Sequence, residues 1–204
     1  MKEDILEQLV EDYFQHKGYF TRHNVKFRPA RGADGDPKKD SAYSDIDVLG
    51  INPKIRGAKH VIVVSCKSWQ QGFPAERYIR ELKDEIKEKK QFSGRAKWKY
   101  FRELAVPKWS RAFRDKIQDL TDHDKFTYYV AVTKLNGDQA GAAKAWREYG
   151  RFKKALNNNP IEFLTAETIL SELWKDKAKT MAASEVGRLL QVVKASRWNP
   201  PGKK

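Results

Sequence analysis

Cysteine is almost absent from this chain. Cys66 is the one cysteine among 204 residues, and the four histidines are His16, His23, His60 and His123. A lone cysteine has no intramolecular disulfide partner, and the histidines do not show the ligand spacing of a zinc site. The composition therefore argues against a disulfide-stabilised domain and a zinc protein, and it favours a reducing, cytoplasmic location.

Long apolar runs and several familiar motifs are also missing. No stretch of about 18 apolar residues occurs, and Met1 leads directly into an amphipathic helix pattern, so we expect neither a membrane span nor a signal peptide. The sequence has no G-x-G-x-x-G, P-loop, G-x-S-x-G, H-E-x-x-H or paired C-x-x-C motif. Dehydrogenases, NTPases, serine hydrolases and zinc enzymes therefore lose support.

Positive charge is abundant. Lysine and arginine number 41 against 27 acidic residues, which gives a formal net charge of +14. Such an excess favours a polyanionic partner, with nucleic acid first and an anionic membrane surface second. The hydrophobic fraction of 40% is enough for one sizeable core.

Apolar periodicity predicts the order of the structural elements. A helix over residues 2–17 precedes strands over 19–28, 45–51 and 60–67, with a long loop at 29–43. A charged helix from residue 75 to about 92, a strand over 125–135, a helix over 140–156, a short strand at 161–164 and helices over 166–175 and 184–197 follow. This order predicts an α/β domain around a mixed sheet.

Charged side chains stand on two strands of this predicted sheet. Side chains alternate along a strand, so Asp45 and Asp47 should share one side, with Ile46 and Val48 on the other. The same rule places Ser65 and Lys67 together on the next strand. Uncompensated buried charge is costly, so these residues form either a salt bridge or solvated strand end, or a functional site.

The segments "DIDVLG" and "VVSCKS", with Glu7 on a helix ahead of Gly18, resemble the PD-(D/E)XK nuclease superfamily. The likeness is to its branch of Mrr-type restriction endonucleases and archaeal Holliday-junction resolvases. It implies a restriction-endonuclease-like core over residues 1–175, in the order α-β-β-β-α-(insertion)-β-α-β-α, followed by a C-terminal helix and basic tail over 176–204.

The resemblance also implies a chemistry. It makes Asp47, Lys67, Glu7 and Ser65 catalytic positions, and Asp47, Asp45 and Glu7 ligands of Mg²⁺ or Mn²⁺. The metal would activate a water and neutralise charge on the scissile phosphate of DNA, while Lys67 would orient or deprotonate that water. Many nucleases of this fold dimerise, so a homodimer is a further expectation.

Ser65 departs from the family pattern, which has Glu or Gln at this position. A neutral hydroxyl supplies no charged ligand to a hard cation. This leaves two alternatives to an active endonuclease. One is a module of the same fold that binds nucleic acid without cleaving it, and the other is a basic scaffold protein in which residues 45, 47 and 67 form ion pairs.

Residues 93–120 form a basic segment with interspersed aromatics. We expect its cations to contact phosphates and its aromatics, including Trp109, to stack on bases. The same segment also fits an amphipathic helix that buries Trp98, Phe101, Leu104 and Ala105. The predicted nucleic-acid-binding residues are Arg95, Lys97, Trp98, Lys99, Arg102, Lys108, Arg111 and Arg114.

Overall fold

The computed structural model describes residues 4–30, 43–87, 100–175 and 185–196. The helices are α1 (Ile5–His16), α2 (Ala75–Lys87), α3 (Arg102–Ala105), α4 (Pro107–Thr121), α5 (Gln139–Glu148), α6 (Gly150–Ala155), α7 (Ala166–Lys175) and α8 (Glu185–Ala195). The strands are β1 (Phe20–Phe27), β2 (Ser44–Ile51), β3 (Val61–Lys67), β4 (Thr127–Val132) and β5 (Ile161–Thr165). A short 3₁₀ helix, Gly57–Lys59, lies between β2 and β3.

The five strands form one mixed sheet in the order β1-β2-β3-β4-β5. The pairs β1–β2 and β2–β3 are antiparallel, whereas β3–β4 and β4–β5 are parallel. The parallel pairs need crossover connections, which the helices between β3 and β5 supply. The α/β class, the mixed sheet and the adjacency of β2 and β3 are therefore confirmed, while a restriction-endonuclease-like core stays a prediction.

Helices cover both faces of the sheet and create two cores. The larger core contains the buried side chains of α2 to α6 and is rich in aromatic rings, with Trp146 fully buried at its centre. The smaller core lies under α1 and α7, where Val10, Phe14 and Leu173 pack against Val64 and Cys66. Helix α8 packs against α1, and its Leu190 is part of the same layer.

Helix α4 belongs to the larger core. Its residues Trp109, Phe113 and Ile117 recur at helical spacing and are at most 4% exposed. Phe101, Leu104 and Ala105 are buried as well, as the amphipathic alternative predicted, and residues 93–99 lie outside the described part of the chain. The apolar face of the described part of the basic segment thus packs into the larger core.

The alternation of side chains breaks in the middle of β1 and β2. Ile46 packs in the larger core with Val25, whereas Val48 packs in the smaller core, so the prediction that Ile46 and Val48 share a face is wrong. The strands stay in register, and Asn24, opposite Asp47, adopts a φ of 54°. A residue in this left-handed conformation turns the side chains that follow it to the opposite face of the sheet. The alternation of side chains therefore reverses at this point in both strands.

Two further boundaries differ from the predictions. The helix expected over 140–156 is divided into α5 and α6 because Tyr149 between them is extended, with a ψ of 113°. The strand expected over 125–135 is shorter and covers Thr127–Val132. Within the described ranges, no helix has the length and apolar character needed to cross a membrane.

Candidate active site at the open end of the β2–β3 hairpin

The candidate site lies where β2 and β3 separate. Their last Cα pair is Val48 with Val64, and Asp47 and Ser65 follow just beyond it. The Asp47 Oδ2 atom accepts the backbone N–H of Cys66 at 2.5 Å. A carboxylate thus satisfies a strand N–H that the neighbouring strand does not, and this contact fixes Asp47 in the gap between the strands.

Lys67 places its amine beside that carboxylate. Its Nζ lies 3.9 Å from Asp47 Oδ2, and the two side chains are 15% and 16% exposed respectively. The amine donates to Ser65 Oγ at 2.8 Å and to the Cys66 carbonyl at 2.9 Å, and it lies 5.2 Å from the centre of the Phe101 ring. These contacts fix the position of the ammonium group of Lys67.

The surroundings of Asp47 disfavour its ionised form. Burial, which disfavours the charged form, raises the pKa of Asp47 above its ordinary value, and repulsion from Asp45 and Asp4 acts in the same direction. Lys67 and the Cys66 N–H oppose this shift without cancelling it. Asp45 and Asp4 thus lie near enough to act on Asp47, although each has a smaller effect than burial or Lys67.

A polar chain runs from Lys67 into the larger core. Burial and the neighbouring Glu103 raise the pKa of Tyr128 well above its ordinary value, and a hydrogen bond with Ser65 acts in the opposite direction, as a donor to the phenol oxygen does. The Tyr128 hydroxyl donates in turn to Glu103 Oε1 at 2.5 Å. The donors thus point in one direction, from Lys67 through Ser65 and Tyr128 to Glu103.

Glu103 is the buried end of this chain and was not among the predicted site residues. It is 6% exposed, and burial raises its pKa, while the Tyr128 hydrogen bond and the charge of Lys67 lower it. Glu103 lies in the basic segment, where attention falls on the cations and the aromatics. An acid on the apolar side of that amphipathic pattern was the signal that could have identified it.

Glu7 acts from the other face of β3. Its charge, together with that of Asp47, contributes to a pKa of the Cys66 thiol well above the ordinary value, although burial is the largest cause. Cys66 packs against α1 in the smaller core, whereas Ser65 and Lys67 face the larger one. Cys66 is therefore held as a protonated thiol and is not a nucleophile.

Asp4 is a second residue that sequence reasoning missed. It caps α1 by accepting the Leu6 N–H at 2.8 Å through Oδ1, and its Oδ2 accepts the hydroxyl of Ser68, the residue after β3. Aspartate is a preferred N-cap, so its place just before an apolar helix pattern was the available signal. The cap brings the start of α1, and a second acid, next to the candidate site.

The donor set bears on the predicted Mg²⁺ or Mn²⁺. In the described ranges, no group of three or more histidine, cysteine, aspartate or glutamate side chains is arranged to hold a metal ion. Asp47, Asp45 and Glu7 thus do not form a closed protein cage. Mg²⁺ keeps several waters and commonly binds through one or two carboxylates and substrate phosphates. A site of this open kind needs only Asp47 and one neighbouring carboxylate, and Asp45 is near enough to act on the pKa of Asp47.

The predicted nucleic-acid-binding residues divide into three groups. Arg95, Lys97, Trp98 and Lys99 lie outside the described residues. Arg102 lies 4.9 Å from the centre of the Trp109 ring, and Arg114 donates to the Ala155 carbonyl, so both have a role within the fold. Lys108 and Arg111 line a groove on α4. Trp109 is only 4% exposed and is not available for base stacking.

No protein-family model, no curated protein and no solved structure matches this chain.

Proposed function

We propose that this protein is a metal-dependent endonuclease that hydrolyses phosphodiester bonds in DNA. The observation that supports it best is the meeting of Asp47 and Lys67, 3.9 Å apart, in the gap between two diverging strands. Further acids near Asp47, in a chain with a net charge of +14, favour a site for a cation and a phosphate together.

The site residues have distinct roles in this proposal. Asp47 and Asp45 would hold Mg²⁺, which when bound lowers the pKa of a water and neutralises charge on the phosphate. Lys67 orients the attacking water and stabilises negative charge on the phosphate oxygens through its ammonium. Ser65 fixes the amine of Lys67 by accepting its hydrogen bond.

A simple structural ion pair is the less suitable description of this site. Asp47 and Lys67 would neutralise one another, as a basic scaffold protein requires, but Asp45 and Asp4 add further negative charge. The buried Glu103 lies behind Lys67 as well. Acids beyond the one that Lys67 pairs with are not needed for a structural ion pair, so their presence favours function over stability.

The test is cleavage of supercoiled, linear and branched DNA in Mg²⁺ or Mn²⁺ by the wild type, Asp47→Asn and Lys67→Met. Both variants preserve side-chain shape, so the fold should persist. Lys17→Met is the matched control because Lys17 also pairs with an acid, Glu172 at 3.5 Å, but does so on the surface. We expect cleavage by the wild type and Lys17→Met, and loss of cleavage with retained DNA binding in the two site variants.

Equal cleavage by all four proteins would show a contaminating nuclease and would contradict the proposal. A wild type that binds DNA in a salt-dependent manner but cleaves none of the substrates would favour the second candidate, a nucleic-acid-binding module without turnover. Two observations favour that candidate. Ser65 supplies no charge, and among the described residues no three histidine, cysteine, aspartate or glutamate side chains are arranged to hold a metal ion.

A further inference from the structure

A basic groove lies between the end of β1 and helix α4. Its volume is roughly 660 Å³, and we call it the α4 groove. Its lining residues are Lys26, Phe27, Arg28, Pro29, Ala30, Tyr43, Lys108, Arg111, Ala112, Asp115, Lys116 and Asp119. Lys26, Arg28 and Lys116 were not among the residues predicted to bind nucleic acid.

One face of α4 forms a whole wall of this groove. The lining positions run from Lys108 to Asp119 at spacings of three and four residues, which places them on one side of the helix. At 1.5 Å per residue this wall is roughly 16 Å long. The opposite side of α4 carries Trp109 and Phe113 and is buried, so the core fixes the orientation of the wall.

The charges of the α4 groove are predominantly positive. Among its described lining residues are five cations and two acids, a formal excess of three positive charges. Lys116 pairs with Asp119 at 3.2 Å, while Lys26 and Arg111 are exposed. Arg28 lies 4.4 Å from the centre of the Tyr43 ring, and that ring is 51% exposed. The excess of cations fits a partner that presents a chain of phosphates.

The sheet connects this groove to the candidate active site. In the β1–β2 register Lys26 lies opposite Asp45, and Phe27 lies opposite Ser44. Asp45 is in turn close enough to Asp47 for its charge to raise the Asp47 pKa. Lys26 of the groove is therefore the direct cross-strand neighbour of Asp45, two residues along β2 from Asp47.

We propose that the α4 groove binds the phosphodiester backbone of duplex DNA and guides it towards Asp47 and Lys67. The choice of DNA rests on the proposed function. The positive charge of the groove by itself indicates only a partner that presents a chain of phosphates. A strand advances 3.4 Å per nucleotide, so the α4 wall follows about five nucleotides. Its cations contact phosphates and contribute affinity, and they do not read sequence.

The experiment measures binding of a labelled duplex by fluorescence anisotropy in EDTA, over a range of salt concentrations, so that cleavage plays no part. The test variant is the double charge reversal Lys26→Glu with Arg111→Glu. The control is Arg56→Glu with Lys125→Glu, which reverses one lysine and one arginine in a different groove, beyond the other end of β2. All four side chains are exposed, and each double variant changes the net charge equally.

We expect the α4-groove variant to bind the duplex at least about tenfold more weakly than the control, with a salt slope lower by about two. Equal losses in both variants would mean that overall charge, and not the groove, attracts DNA. Binding like that of the wild type in the α4-groove variant would also overturn the proposal. Tighter binding of an RNA duplex of the same sequence through this groove would overturn the choice of DNA.

The groove and the endonuclease proposals can fail separately. If the wild type cleaves no DNA in Mg²⁺ or Mn²⁺ but the α4-groove variant loses binding in EDTA, the groove proposal holds and the endonuclease proposal fails. If the wild type cleaves and the α4-groove variant binds and cleaves equally well, the groove proposal fails and the endonuclease proposal holds.

Discussion

The two ends of the β2–β3 hairpin have opposite character. At the closed end, Val61 to Val64 pair with Val48 to Ile51, and all four valines and isoleucines of β3 in this stretch are fully buried. At the open end the pairing stops, and Asp47, Ser65 and Lys67 occupy the gap with hydrogen bonds among themselves and to the Cys66 backbone.

Within one pair of strands, the closed end contributes to the stability of the fold, whereas the open end holds the polar side chains of the candidate site. The closed end stabilises the fold because its strands are paired and its apolar side chains are buried. The open end places charges where burial raises the pKa of Asp47. A site of this kind costs stability, which the adjacent closed end offsets.

Asp47→Asn should give the largest effect at the open end. An amide oxygen still accepts the Cys66 N–H, so we expect the melting temperature to be retained, while DNA cleavage falls at least about a hundredfold because the charge is lost. Plasmid nicking rates and thermal melts measure the two quantities. A variant that melts far below the wild type would show that Asp47 stabilises the fold, and it would contradict the difference described between the two ends of the hairpin.

Ile62→Ala should give the converse result at the closed end. Ile62 is fully buried, so truncation should lower the free energy of unfolding by about 2–5 kcal/mol. Urea denaturation measures this loss, and cleavage per folded molecule should not change. The control is Leu189→Ala, at a side chain that is 61% exposed. It should change the free energy of unfolding by no more than about 0.5 kcal/mol.

Asn24→Ala should test the exchange of faces that separates the two ends. Alanine at a φ of 54° is strained, so we expect a loss of about 1–2 kcal/mol in the free energy of unfolding. Asn24→Gly, which adopts this conformation freely, should be close to neutral. Equal losses in both variants would point to the side chain of Asn24 and not to its backbone conformation.

Glu103→Gln should have the smallest effect, and the effect should depend on pH. Burial raises the pKa of Glu103 in the folded protein above the ordinary value of 4.5, so the protonated acid favours folding. That contribution is complete below about pH 4.5 and is lost as the pH rises through the folded-state pKa. Relative to the wild type, the variant should therefore gain a few degrees in melting temperature at pH 8.

The control for this variant is Glu148→Gln, at an exposed position where loss of the charge should change little. Thermal melts at pH 4.5, 6 and 8 compare the three proteins. A Glu103→Gln variant that melts below the wild type at pH 8 would show that the ionised carboxylate stabilises the fold through Tyr128.

Much of the fold was predictable because it depends on local patterns. The β-branched runs gave β2 and β3, and the residues between them were few enough for an antiparallel pair. The pairing of Ser65 with Lys67 followed from strand alternation and is confirmed by their hydrogen bond. Alternation failed for Ile46 and Val48, because a left-handed residue on the neighbouring strand, Asn24, leaves no signal in the β2 sequence.

The buried part of the candidate site was not predictable. Glu103 and Tyr128 are 25 residues apart in the chain and meet only because α3 packs over β4. Asp4 and Ser68 likewise meet across 64 residues. Contacts between residues so far apart in the chain depend on how the helices pack on the sheet. Periodicity along the chain contains no information about them.

The sequence by itself determined the positive charge, the α/β order and the presence of acids and a lysine on adjacent strands, because these properties belong to single residues or short segments. The tertiary structure alone decided that β2 and β3 separate at Asp47, that Trp109 is buried, and that one face of α4 forms a basic groove beside β1. The reason is that burial and separation depend on which surfaces meet, and distant parts of the chain supply those surfaces.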